Sequence, residues 1–181
     1  MAQTATIIQF DIELADADRD VYETLALRVA QHPSESPEYL VTRVLAYGLE
    51  FTEGIVFSRG VSDPEEPTIA VRDLTGVITT WIEIGNPDAA RLHKASKAAA
   101  RVVVYTHKDP QQVLRNLAGQ AIHRADRVEF YAVDRGLIAQ LAARLERRMA
   151  FSMSVAERTV YLSIGTDTLS GVIVRLPLIP G

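Results

Sequence analysis

Trp81-Ile82-Glu83-Ile84-Gly85 decides the reading of this chain, because an apolar strand ends in a carboxylate and passes at once into Asn86-Pro87-Asp88 and a helix. A charge in so apolar a run costs desolvation unless it is paired or bound to a cation. Just upstream, Pro64-Glu65-Glu66-Pro67 opens the preceding strand, and Asp73-Leu74-Thr75-Gly76 joins the two runs as a tight hairpin turn. Counting back from that turn sets Glu83 opposite residues 66 to 68. Two carboxylates, Glu66 and Glu83, are therefore expected at one end of one hairpin. With the carbonyl of Ile84 they form the oxygen-rich set that a magnesium or manganese ion requires.

Working outward, Ile8, Phe10, Ile12 and Leu14 alternate with polar residues and predict a half-buried first strand. A helix is expected over about 18–31, closed by His32-Pro33. A second helix starts at Ser36-Pro37, since serine is a preferred cap and proline fits the first helical position, and it runs to about 49. Strands follow near 55–58, 68–73 and 77–84, then a helix over 87–99. The run 101–106, with Val102-Val103-Val104-Tyr105, is apolar on both faces, as in a central strand parallel to an earlier one. Further on, the pattern predicts a helix over 110–120, a strand over 128–133 and a helix over 135–148. The tail alternates in 151–155, 160–164 and 171–176, an antiparallel meander that pairs with the first strand or extends the sheet. The fold class is α/β, mixed α+β. Residues 1–181 form one domain, with a core of about 36–106 and supporting helices and strands over 107–181.

With 181 residues, 48% of them hydrophobic and 23% charged, the chain can bury one substantial core. No apolar run approaches the roughly 20 residues that span a bilayer, and the alternating N-terminus does not read as a secretory signal. A cytoplasmic location without membrane attachment is the expectation. The absence of cysteine excludes thiolate zinc sites, disulfides and thiol catalysis, and four scattered histidines leave a hard cation on oxygen ligands as the remaining metal option. A net charge of −4 argues against a generic nucleic-acid coat protein but leaves room for an enzyme with a local basic rim.

His32-Pro33-Ser34-Glu35, Arg43 with Leu45-Ala46-Tyr47, Ser58-Arg59-Gly60, Glu66-Pro67, Trp81-Ile82-Glu83-Ile84-Gly85, and Arg91 with Lys94 together resemble the YaeQ family of small bacterial proteins. The resemblance implies a fold related to the PD-(D/E)xK nucleases, whose core is a helix, three strands, a helix and a strand. That order agrees with the element order read independently from periodicity. In the nuclease pattern an acid opens the second core strand, a second acid sits on the third, and a lysine follows after one residue. Glu66 and Glu83 take the first two places. Gly85 stands where the lysine is expected, so Lys94 on the next helix becomes the replacement, and Glu38 matches the helical acid that many such sites add.

Each candidate has a plainer explanation as well. Glu38 suits a helix N-terminus, where a carboxylate gains about 0.3–1 kcal/mol from the helix dipole. Glu66 could be a solvated loop acid, Glu83 half of an ion pair with Arg43 or Lys94, and Lys94 a surface lysine beside Arg91 and Lys97. Asp73 lies at the turn, remote from Glu83, and His93 and His123 read as ordinary helix residues. Arg43, Arg59 and Arg91 are candidate phosphate contacts or counterions for the acids. Two functions follow: a Mg- or Mn-dependent phosphodiesterase acting on nucleic acid, with Lys94 orienting the attacking water, or a non-catalytic binding or interaction protein on the same fold.

Overall fold

The structure is a computed structural model, and it describes residues 4–58 and 65–178. Its first two strands correct the sequence reading. β1 (Thr6–Asp16) is followed not by a helix but by β2 (Val21–Gln31), paired antiparallel along its whole length from Thr6↔Gln31 to Asp16↔Val21. The physical reason is period two: Leu25, Leu27 and Val29 are buried while Thr24, Ala26 and Arg28 face solvent. The turn is tied by Arg19, whose main-chain N–H and Nε donate to Asp16 at 3.2 and 2.8 Å.

α1 (Pro37–Leu49) starts as expected, with Ser36 Oγ accepting the main-chain N–H of Tyr39 at 3.1 Å. β3 (Ile55–Phe57), β4 (Ile69–Arg72) and β5 (Ile78–Ile84) form an antiparallel meander, α2 (Ala89–Ala98) crosses over, and β6 (Arg101–Thr106) lies parallel to β5. The order helix, three strands, helix, strand over this segment matches the expectation. The β4–β5 turn is held by Asp73 Oδ1, which accepts from the N–H groups of Thr75 and Val77, with Gly76 at φ +85°. α3 (Pro110–Leu117) and α4 (Arg135–Ala143) are shorter than their patterns suggested, flanking β7 (Glu129–Val133). Arg148 belongs to β8 (Arg148–Ala156), which with β9 (Thr159–Ile164) and β10 (Asp167–Leu176) makes the tail meander. Both alternatives for that tail hold at once: β8 pairs parallel with β1, and β10 pairs antiparallel with β7.

Among the described residues the result is one mixed sheet of ten strands in the order β2-β1-β8-β9-β10-β7-β6-β5-β4-β3, with four α-helices. The sheet wraps around α1. That helix lies against β5 and β6, brings Gly48 up to Met153 of β8, and sends Arg43 to the carbonyl of Ala30 on β2. Its buried stripe, Leu40, Val41, Val44 and Leu45, joins the main core with α4 and the inward residues of both halves of the sheet. A smaller core lies on the other face of β5–β7, where Trp81, Val102, Val104 and Phe130 meet Leu92 of α2 and Val113 of α3. None of the described helices is long and apolar enough to cross a membrane.

Candidate site at the carboxyl end of strand β5

Alternation along β5 sends Ile82 and Ile84 into the main core and Trp81 and Glu83 to the α2 face. Glu83 is 3% exposed. Its Oε1 accepts the indole N–H of Trp81 at 2.6 Å and pairs with Nε of Arg91 at 2.8 Å, and the hydroxyl of Thr68 reaches Oε2 at 3.5 Å. The β4–β5 register, Ile69↔Ile82, continues to set Thr68 opposite Glu83, within the 66 to 68 window counted from the sequence. Burial pushes the Glu83 carboxyl up from its ordinary value, and the hydrogen bond and charge of Arg91 pull against that rise.

Arg91 is positioned by the start of α2, where Asp88 caps the helix and accepts the main-chain N–H of Arg91 at 2.8 Å. Its guanidinium lies 5.9 Å from the Trp81 ring centroid and donates through Nη2 to the main-chain carbonyl of Glu66 at 2.6 Å. Glu66 and Glu83 are thus linked through Arg91, but Glu66 contributes its main chain. The Glu66 side chain lines a groove with Val56, Phe57, Ser58, Pro67, Ala70 and Arg72.

The remaining candidates are spread apart. Lys94, one turn beyond Arg91, forms an ion pair with Glu65. Glu38 is exposed in the first turn of α1. Arg43 does not serve Glu83: it is buried, paired with Glu35 at 3.3 Å, and donates to Ala30 O at 2.9 Å, fastening α1 to β2. Arg59 lies outside the described residues. Ile84 pairs with Tyr105 of β6 and packs in the main core. Among the described residues there is no group of three or more His, Asp or Glu side chains placed to hold a metal ion.

Tyr39 and His107, both missed by the sequence reading, complete the strand end around Gly85. Gly85 leaves β5 at φ +87°, a conformation that favours glycine. The rings of Tyr39 and His107 close over it, each 3.5–3.6 Å from where a Cβ would stand. Tyr39 meets His107 edge to face, and its hydroxyl lies 3.4 Å from that of Thr68, which extends the chain Arg91–Glu83–Thr68–Tyr39. His107 is buried with neither ring nitrogen hydrogen-bonded. Burial, and after it the charge of Lys108, lower its pKa to about 4 against the opposite pull of Glu38. Thr68 fell within the window of 66 to 68 counted back from the turn, without a role of its own; nothing in the local sequence pointed to His107.

A second polar cluster lies on the opposite face of the central strands. Arg101 binds Glu50 at 2.6 Å and Glu129 at 2.6 Å, the Tyr105 hydroxyl donates to Glu50 at 2.5 Å, and that of Tyr131 donates to Glu129 at 2.9 Å. Burial works to lower the Arg101 pKa, but Glu129 and Glu50 outweigh it and raise it; burial and then Glu50 drive Tyr105 well up. This network borders a cavity of about 330 Å³, also lined by Asp16, Arg19 and Arg158. It opens on the other face of the sheet from Glu83, and its ionic groups pair with one another, Arg101 with Glu50 and Glu129 and Arg19 with Asp16.

A family model described as YaeQ protein matches residues 1–172. The chain is 30% identical over 170 residues to "Uncharacterized protein YaeQ" of Salmonella typhi, covering 93% of this chain and 94% of the relative. It is 30% identical over 171 residues to the protein of the same description from Escherichia coli (strain K12), with the same shares. Among solved structures it is similar to the YaeQ protein from Xanthomonas axonopodis pv. citri, with a TM-score of 0.86 at 29% identity over 95% of this chain and 98% of that one. The YaeQ protein from Pseudomonas syringae gives 0.87 at 28% identity over 97% of each chain.

Proposed function

The chain belongs to the YaeQ family, and from that footing we propose that it is a non-catalytic binding protein on a layout related to the PD-(D/E)xK nucleases, with nucleic acid as its ligand class. The order α1, β3–β4–β5, α2, β6 supports the relationship. The observation that carries the non-catalytic reading is the place of Arg91. Its guanidinium sits between the Glu83 carboxylate on β5 and the Glu66 carbonyl in the segment leading into β4, two oxygens that converge on one positive charge. On this reading the guanidinium takes the position that a divalent cation would hold in a hydrolase of that layout.

The donor set as arranged does not fit magnesium or manganese. It offers one carboxylate, whose Oε1 is taken by Trp81 and Arg91 and whose Oε2 faces Thr68, whereas magnesium requires near-octahedral oxygen ligation. Binding would rest on the cations of α2, Arg91, Lys94 and Lys97, beside the strand end.

The second reading is a Mg- or Mn-dependent phosphodiesterase with Glu38, Glu66, Glu83 and Lys94 as its machinery. It is favoured by the same convergence of oxygens and requires Arg91 to swing away from Glu83. Labelled DNA and RNA oligonucleotides, followed by anisotropy and on gels with and without manganese, separate the two. Salt-sensitive binding without cleavage is expected. Manganese-dependent cleavage that is lost in Glu83→Gln would establish the enzyme instead, and a lack of binding to either polymer would remove nucleic acid as the ligand.

A further inference from the structure

We propose that the cavity between the two halves of the sheet binds a small organic anion, a carboxylate or phosphate monoester on a single-ring apolar body, with Arg158 as the residue that recognises the charge. The cavity opens on the other face of the sheet from Glu83, and the inference does not rest on the function proposed for the strand end.

The apolar wall comes from both halves of the sheet: Val155 of β8, Val71 of β4 and Ile173 of β10, joined by Leu49 at the end of α1. Beside them stand Tyr105 and Tyr131, stacked with ring centroids 5.1 Å apart. A volume of about 330 Å³ is at the lower bound of ligand pockets, roughly 300–1,000 Å³, and suits a molecule with one ring. The cations at this cavity are not equivalent. Arg101 is held by Glu50 and Glu129, and Arg19 by Asp16 and by the carbonyls of Gly48 and Phe51 at the close of α1. Arg158 is exposed, its guanidinium 4.6 Å from the Tyr131 ring centroid, and among the described residues it has no carboxylate at ion-pair distance.

The backbone under Arg158 is one that a turn ordinarily gives to glycine. Only Glu157 and Arg158 join β8 to β9, with Ala156 paired to Thr159, and a two-residue turn with positive φ at both positions prefers Asn-Gly. Here φ is +50° at Glu157 and +61° at Arg158. The conformation is imposed from outside. The two carboxylate oxygens of Asp18 accept the main-chain N–H groups of Glu157 and Arg158 at 2.7 and 2.9 Å, and the carbonyl of Arg158 accepts the N–H of Ile173 at 2.7 Å. These bonds use only the main chain of 158, so they fix the position without explaining the arginine. Asp18 belongs to the β1–β2 turn, where Asp20 also has positive φ, so three of the four described non-glycine residues with positive φ lie in the two turns beside this cavity. Strain of this kind clusters at ligand sites, where it fixes a side chain in place. What it fixes here is a guanidinium that no carboxylate occupies, above an apolar hollow. An oxyanion is its complement, since the planar fork gives two parallel N–H···O bonds to a carboxylate or a phosphate.

Titration of the nitrogen-15-labelled protein with phenyl phosphate and with benzoate tests the assignment, with benzyl alcohol as the uncharged control. Saturable shifts are expected at the main-chain amides of Thr52, Tyr131 and Arg158 with at least one of the anions, and the tighter of the two identifies the head group. Benzyl alcohol should leave these amides unmoved. Arg158→Gln should weaken binding at least roughly tenfold with unchanged circular dichroism. Arg158→Gly, which the turn accepts without strain, should keep the fold and lose binding to the same extent. No saturable shift with either anion, an equal response to benzyl alcohol, or affinity retained in either variant would each overturn the proposal.

Discussion

Nε of Arg91 lies 2.8 Å from Oε1 of Glu83, and the same guanidinium reaches the carbonyl of Glu66 at 2.6 Å, so one side chain of α2 ties the segment leading into β4 to the end of β5. Glu83 is nearly inaccessible and Arg91 only partly exposed, which makes the two partners unequal. Arg91→Ala strands a buried carboxylate and is expected to cost about 3–5 kcal/mol in urea unfolding. Glu83→Gln keeps an acceptor for Trp81 and leaves an arginine that can turn to water, so its cost should be smaller. Equal losses in the two variants would contradict the burial seen for Glu83.

Gly171 of β10 is fixed by packing, whereas Gly85 is fixed by its backbone. A Cβ at Gly171 would stand 2.5 Å from Cβ of Asp134 and 2.8 Å from Cβ of Leu137, atoms too close to the chain to move aside. At Gly85 the nearest neighbours are at ordinary contact distance and only φ +87° resists. Gly85→Ala should lose about 1–2 kcal/mol. Gly171→Ala has to push α4 off β10 and should lose more, with denaturant midpoints giving the order. The reverse order would mean that α4 yields more easily than its contacts suggest.

The central elements were legible because their signals are local. Ser36-Pro37 announces a helix start, Asp73 to Gly76 a turn, and Val102 to Tyr105 a strand buried on both faces. Residues 21–31 were misread because Leu25, Leu27 and Val29 lie among alanines and charges that suit a helix equally well; the full-length pairing with β1 decides the matter, and that contact is not local. At the site, Glu83 was legible as a charge in an apolar strand, but its partner was not. Arg43, Lys94 and Arg91 were all within reach in sequence terms, and only the approach of α2 selects Arg91. Tyr39 and His107 converge on Gly85 from α1 and from the residue just after β6, a meeting that no spacing along the chain encodes.

The network around Arg101 should behave as a unit. Tyr105→Phe removes a hydroxyl that donates to Glu50 at 2.5 Å, a bond to a charged acceptor worth about 1.5–3 kcal/mol. Arg101→Met leaves Glu50 without its cation; because the arginine side chain is 39% exposed, solvent screening should hold the cost to about 2 kcal/mol. Both changes act through Glu50, so the double variant should lose less than the sum of the two. Strict additivity in a double-mutant cycle would show that Glu50 does not couple them.

His107 gives the clearest dependence on pH. Its pKa in the folded protein is about 4, below the ordinary 6.5, so the unfolded chain binds the proton more tightly than the folded one. The stability tied to its neutral ring is complete above pH 6.5 and is lost as pH falls from there toward 4, to the order of 3 kcal/mol. Neither ring nitrogen has a hydrogen-bond partner, so an apolar side chain forfeits no bond at this position. His107→Leu should therefore match or exceed the wild type at pH 7.5 and surpass it increasingly between pH 6.5 and 4. His32, His93 and His123 remain in both proteins, and the difference between their two stability curves isolates His107. Parallel curves across that interval would show that His107 does not titrate with folding.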